Sequence, residues 1–207
     1  MKFYILASLI IFIMVISHNI RKSNRLEAKQ EQEFWDRERR ANQVRRKPLD
    51  DLEYIQIPLE RLPMQLLADD RDIADCHRII NDLSLCPIVN LTGFSNTDLK
   101  LQYGTANITA LTEYDQSYTL LVSTLQRWAD LLCKAGHEDA VRPILEFAVS
   151  TRTDVSRTYD MLAELYLKGH ETEKISELLQ TAQSLNSLNR DVIIRHLEEL
   201  TAGPGSD

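Results

Sequence analysis

Residues 122–155 read VSTLQRWADLLCKAGHEDAVRPILEFAVSTRTDV, and residues 156–189 read SRTYDMLAELYLKGHETEKISELLQTAQSLNSLN. Shifted by 34 positions, the first stretch falls on the second. Ala129 lands on Ala163, Leu131 on Leu165, Lys134 on Lys168, Leu145 on Leu179, Ala148 on Ala182 and Ser150 on Ser184. Asp130 meets Glu164, and Val141 meets Ile175. A period of about 34 residues is the length of a helix–turn–helix unit that buries its apolar side by stacking on a neighbour. The small residues have a physical role in such a unit. Ala129 and Ala163 let the two helices of a hairpin approach, Ala148 and Ala182 do the same for the following helix, and the larger side chains fill the space between. The fold class expected from this pattern is all-α.

The second unit carries Tyr159, Leu162, Ala163 and Tyr166 on its first helix and Ile175, Leu179 and Ala182 on its second. It resembles a tetratricopeptide repeat. The first unit offers Leu125, Trp128, Ala129 and Leu132, then Val141, Leu145 and Ala148. The resemblance covers about residues 122–188. It departs from the family at the turns around Gly136 and Gly169, and at Thr153 and Ser187, which stand where a closing proline is usual. A third unit opens at Asn189-Arg190-Asp191 and stops after one helix, with Ile193, Ile194 and Leu197 inward, as a cap of the array would. The resemblance implies a helical-repeat solenoid whose first helices line a concave groove for a segment of another protein. In that register Ser123, Gln126, Asp130 and Cys133 face the groove from one unit, and Arg157, Asp160, Glu164 and Lys168 from the next. The strip is mildly acidic and suits a basic or polar peptide. The whole chain is also similar to small membrane-anchored proteins of unassigned function from Gram-positive anaerobic bacteria, a likeness that implies no activity.

Towards the N-terminus, Phe3 to Ile20 contains no Asp, Glu, Lys or Arg. A helix of that length spans about 27 Å, close to the hydrocarbon thickness of a bilayer. The exit around Ser17-His18-Asn19 lacks the small-x-small pair of a signal-peptidase site, so the expectation is a retained transmembrane anchor over 1–20. Lys2 precedes the run, whereas Arg21, Lys22, Arg25 and Lys29 follow it. That asymmetry puts the C-terminal body in the cytoplasm of a single-pass cell-membrane protein. Residues 21–47 lack Gly and Pro and read as a charged helical stalk running up to Pro48. Within it Arg37, Arg39, Arg40, Arg45, Arg46 and Lys47 are candidates for contact with anionic headgroups, and Phe34-Trp35 for an interfacial position.

Residues 48–112 form the least regular segment. Pro58 and Pro63 bar a central strand, so the first part reads as extended chain laid on the helical body. Ile73, Cys76, Ile79, Ile80 and Leu83 recur at helical spacing within 69–85, with Asp69-Asp70 at the favourable end. Ser95 or Asn96 would cap a short helix through Tyr103. The whole segment is expected to pack on the open N-terminal end of the repeats, because two hairpins are few for a stable array. Residues 113–188 hold the hairpins, 189–200 the capping helix, and 201–207 a disordered tail.

Composition excludes several functions. Residues 1–47 contain 11 Lys+Arg against 5 Asp+Glu, a net of +6, whereas 48–207 contain 13 against 26, a net of −13. An acidic body argues against a nucleic-acid binder. Cys76, Cys86 and Cys133 have no metal-binding spacing. No catalytic constellation, cofactor motif or metal site is recognisable, and five scattered histidines do not make one. The expectation is therefore a membrane-tethered scaffold or adaptor and not an enzyme. The alternative is an accessory subunit or enzyme with its site in the polar segment 85–112.

Overall fold

The computed structural model describes residues 2–202, with the side chains of residues 2–11, 13, 15 and 202 left out of account. The described chain is all-α: α1 Lys2–Asn42, α2 Arg71–Leu83, α3 Asn96–Tyr103, α4 Ile108–Lys134, α5 Glu138–Ser150, α6 Ser156–Lys168, α7 Thr172–Gln183 and α8 Arg190–Ala202. It divides into two compact units, residues 1–48 with 95–108, and residues 49–94 with 109–207.

The first unit pairs the end of α1 with α3. α3 starts at Ser95, whose hydroxyl accepts from the Asp98 amide while the Asp98 carboxylate accepts from the Ser95 amide. This reciprocal capping settles the choice between Ser95 and Asn96. Ala41 on α1 is fully buried, and Glu38 is bonded by Lys100 and Thr97. The helix expected to run to Pro48 ends at Asn42 instead. The reason lies in the backbone partners of the next residues. The Lys47 amide donates to the Tyr103 carbonyl at 3.0 Å, and Asn107 Nδ2 donates to the Lys47 carbonyl at 2.7 Å. Gly104 permits this approach, because at φ 88° it carries no Cβ where one would sit 2.4 Å from the Arg45 carbonyl oxygen. Residues 95–108 therefore pack on α1, whereas the whole of 48–112 was expected on the repeat body.

Among the described residues no helix is long and apolar enough to cross a membrane. The expected span is helical as the first part of α1, but most side chains of the Phe3–Ile20 run lie outside the described set.

The second unit holds the two helical hairpins. Asp70 caps α2 by accepting from the amides of Asp72 and Ile73 at 3.0 and 3.1 Å. Ile73, Cys76, Ile80 and Leu83 then form its buried stripe. The chain over 49–70, expected to be extended, is so only around Tyr54, which bridges antiparallel to Val89; it then coils into a 3-10 turn at Leu59–Arg61 and turns over 64–69, with Leu62 in the core. α4 and α5 turn at Gly136, φ 81°. α6 packs against α5, α7 and α8, and α7 against α8. Trp128, Ala129, Tyr159, Ala163 and Ala182 are all fully buried, and Ile193 and Leu197 join them from α8. α8 continues to Ala202, into the stretch expected to be a disordered tail; residues 203–207 of that tail lie outside the described residues.

Candidate functional site

Once Leu125, Trp128, Ala129 and Leu132 turn inward on α4, and Tyr159, Leu162, Ala163 and Tyr166 on α6, helical geometry leaves a common outer face. The structure brings much of the expected groove set together there. Arg157 Nε donates to Asp130 Oδ1 at 2.8 Å, and Thr158 Oγ1 donates to Gln126 Oε1 at 2.7 Å. Gln126 Nε2 reaches Asp130 Oδ1 at 3.3 Å. These bonds stitch α4 to α6. Lys168 Nζ pairs with Glu138 Oε2 at 2.6 Å, at the start of α5. Ser123 is exposed and its hydroxyl donates to the Leu120 carbonyl. Burial pushes the Cys133 thiol up, with Glu138 and Asp130 adding to the effect, so it lacks the electropositive setting of a reactive cysteine.

Asp160 and Glu164 are left. Glu164 is exposed and acts on Arg157 and Lys168 only through space. Asp160 Oδ2 lies 3.5 Å from His196 Nδ1 on α8, an ion pair only when the imidazole is protonated. Its Oδ1 is buried and makes no hydrogen bond. Asp130 is thus compensated by Arg157 and Lys168 by Glu138, which leaves the middle of the face acidic. His196 was not foreseen, though a signal existed: a further shift of 34 residues sets Ile193 on Tyr159 and His196 on Leu162. At that position His196 is half-exposed.

Several polar residues of 85–112 hold the chain in place, Asn90 and Asn107 by bonding backbone and Thr97 and Lys100 by bonding Glu38. Asn90 Nδ2 lies 3.0 Å from the Thr151 carbonyl, 3.1 Å from that of Arg152 and 3.0 Å from the Tyr118 hydroxyl. Asn90 Oδ1 accepts from the Thr92 amide at 2.9 Å. Burial pushes the Tyr118 phenol up to about 12, unsuited to proton transfer near neutrality. Asn107, 1% exposed, donates to the Lys47 and Tyr103 carbonyls and accepts from Arg46. The Glu38 carboxyl is held below the usual carboxylate range by Lys100 and then Thr97. Among the described residues no group of three His, Cys, Asp or Glu is placed to hold a metal ion.

The basic stretch of α1 is partly paired. Arg37 bonds Asp98, Arg39 bonds Asp36, and Arg40 Nε donates to the Asp36 carbonyl. Arg45 and Lys47 are exposed. Phe34 and Trp35 are exposed and meet edge-on, their centroids 5.3 Å apart. On the side of the body formed by the second helices, a cleft of about 560 Å³ is lined by Glu146, Val149, Arg152, Glu177 and Gln180 among others. Compared with known proteins, the chain matches no family model, no curated protein and no solved structure.

Proposed function

We propose that the chain is a membrane-tethered interaction module, a scaffold or adaptor that presents a tetratricopeptide-like helical body to a segment of another protein. The observation that carries this reading is the acidic face of α4, α6 and α8. Intramolecular pairs account for Asp130 and Lys168, whereas Glu164 is exposed and Asp160 meets only His196, an ion pair when the imidazole is protonated. A basic peptide is the ligand such a face suits. The apolar run 3–20 is the proposed anchor, with the body on the cytoplasmic side of the cell membrane and a tethered partner held at raised effective concentration. On the anchored stalk, Arg45 and Lys47 are freer than Arg37, Arg39 and Arg46 to meet anionic headgroups. The reading as a binding protein gains support from the structural duties of Asn90, Ser95, Thr97 and Asn107, which leave segment 85–112 few groups for chemistry.

Crosslinking of the tagged full-length protein in its native membrane, compared with the double reversal Asp160→Lys and Glu164→Lys, tests the proposal. The reversal should abolish partner recovery. Glu164→Lys alone, an exposed change that should leave the melting temperature nearly unaltered, should weaken it. Partner recovery that survives the double reversal would move binding away from this face.

A further inference from the structure

His77 is a buried polar group that neither the acidic face nor the backbone-holding network uses. It lies on α2 at 7% exposure, next to the fully buried Cys76. Its ring meets the indole of Trp128 on α4 edge-on, at 4.8 Å between centroids and 78° between planes. His77 Nε2 and Trp128 Nε1 are both buried, and neither has a hydrogen-bond partner. A neutral imidazole tolerates this setting at the cost of one unmet bond. An imidazolium does not, because it would bury a full charge with no acceptor for its second N–H.

Around the rim, Arg127 on α4 donates to Asp75 at 3.0 Å and to Asp72 at 3.1 Å on α2. Asp75 also takes Arg78 of its own helix at 2.6 Å. Asp72, Asp75, Arg78 and Arg127 are all exposed or half-exposed. α2 is therefore held on α4 by a buried aromatic contact inside and an ionic clasp outside. The two fail at different pH.

We propose that His77 is a protonation latch: as a neutral ring against Trp128 it holds α2 on the helical body, and its protonation in mildly acidic medium releases α2 and uncovers Trp128. Burial alone acts on the imidazole and pushes its pKa down. A group whose folded-state pKa is depressed contributes stability that is complete above its unfolded value, about 6.5 for histidine, and is lost as pH falls below it. Arg78 and then Arg127 hold Asp75 below the usual carboxylate range, so the outer clasp persists until pH falls below about 4. From about pH 6.5 to 4.5, then, His77 alone loosens α2. The released surface is the apolar end of the helical body that α2 covers through Ile73, Ile80 and Leu83.

The chain has two tryptophans, so Trp35→Phe makes Trp128 the sole indole. In that background the full-length protein, held in detergent, is titrated from pH 8 to 4.5. Trp128 emission is followed together with amide exchange of residues 71–83, corrected for the intrinsic pH dependence of exchange. The expected result is one emission transition with its midpoint below 6.5, and α2 exchange accelerated at least about tenfold at pH 5. Both should vanish in His77→Phe, which keeps a ring at the site, and in His77→Gln, which keeps a polar group that does not titrate. If the phenylalanine variant fails to fold, the glutamine variant carries the comparison. A transition that persists in either folded variant, a midpoint at or above 6.5, or α2 protection unchanged at pH 5 would overturn the latch.

Discussion

Tyr159 separates what its ring does from what its hydroxyl does, and so tests the register of the helical body. The side chain is fully buried on α6, and its hydroxyl donates to the Thr153 carbonyl at 2.9 Å. Burial also pushes the phenol up, so the hydroxyl stays a neutral donor throughout the accessible pH range. Tyr159→Phe removes the donor and leaves the Thr153 carbonyl without it, at a cost of about 1–2 kcal/mol. Tyr159→Ala removes the ring as well and should cost about 3–5 kcal/mol. For a domain of this size, 1 kcal/mol moves the melting temperature by about 2–4 °C. The phenylalanine variant should therefore melt a few degrees low, and the alanine variant about 10 °C low or not fold at all. Ile193, fully buried one period later, should follow with a loss of about 2–4 kcal/mol as Ile193→Ala. Thermal unfolding by circular dichroism reads all three. An alanine variant of Tyr159 melting within two degrees of the parent would show that the repeat is in the wrong register.

Three further expectations follow from particular sites. Gly136 takes φ 81°, and His170, one period on, takes φ 55°; Gly136→Ala should destabilise by about 1–2 kcal/mol while His170→Gly is neutral or stabilising by up to about 1 kcal/mol, and melting shifts of the same sign would refute the equivalence of the two turns. Asn107→Ala leaves the Lys47 carbonyl without its donor, so amide exchange at Lys47 should speed up markedly while amides of the Tyr159 core stay protected; equal loss in both places would contradict a local role. The Glu171 carboxyl is held below its ordinary range chiefly by Arg142, whose Nη1 and Nη2 donate to it at 2.6 and 2.8 Å. That contribution is present above the ordinary glutamate value and lost as pH falls below it, so Glu171→Gln should melt lower than the parent at pH 7 and level with it near pH 3; a gap of the same size at both would disprove the linkage.

The hairpins were legible because two independent signals coincide there. The 34-residue shift aligns Ala129 with Ala163 and Ala148 with Ala182, and the helical spacing of large residues around each alanine selects the buried face. All four are buried within 2%. The division of 48–112 was not legible. α3 buries only Leu99 among its eight residues, so hydrophobic periodicity says nothing about where it docks. What docks it is polar and distant: Lys100 with Glu38, 62 residues apart, and Asn107 with Lys47, 60 apart. Such pairs leave no spacing to read. The same limit hid the early end of α1, since 43–47 look helical until their backbone partners on α3 are known.

The eight residues expected on the groove face show where pattern and chemistry part. Spacing alone set Gln126, Asp130, Arg157 and Asp160 on one side of two helices, and they share a face. It could not tell which of them neutralise one another, because that depends on the distance between helices. With α4 and α6 close enough for Arg157 to reach Asp130 at 2.8 Å, the one arginine of the strip is withdrawn from any partner. Lys168 is likewise taken up by Glu138. A strip of three acids and two bases on paper becomes, for an incoming peptide, a face whose uncompensated charge is Glu164, with Asp160 beside it balanced only when His196 is protonated. Exposed ion pairs cost little to separate, so a cationic peptide, were it the ligand as proposed, could still compete for Asp130. The carboxylate of this face most open to such a ligand is the exposed Glu164, because Asp160 Oδ1 is buried and would have to be uncovered before it could accept a bond.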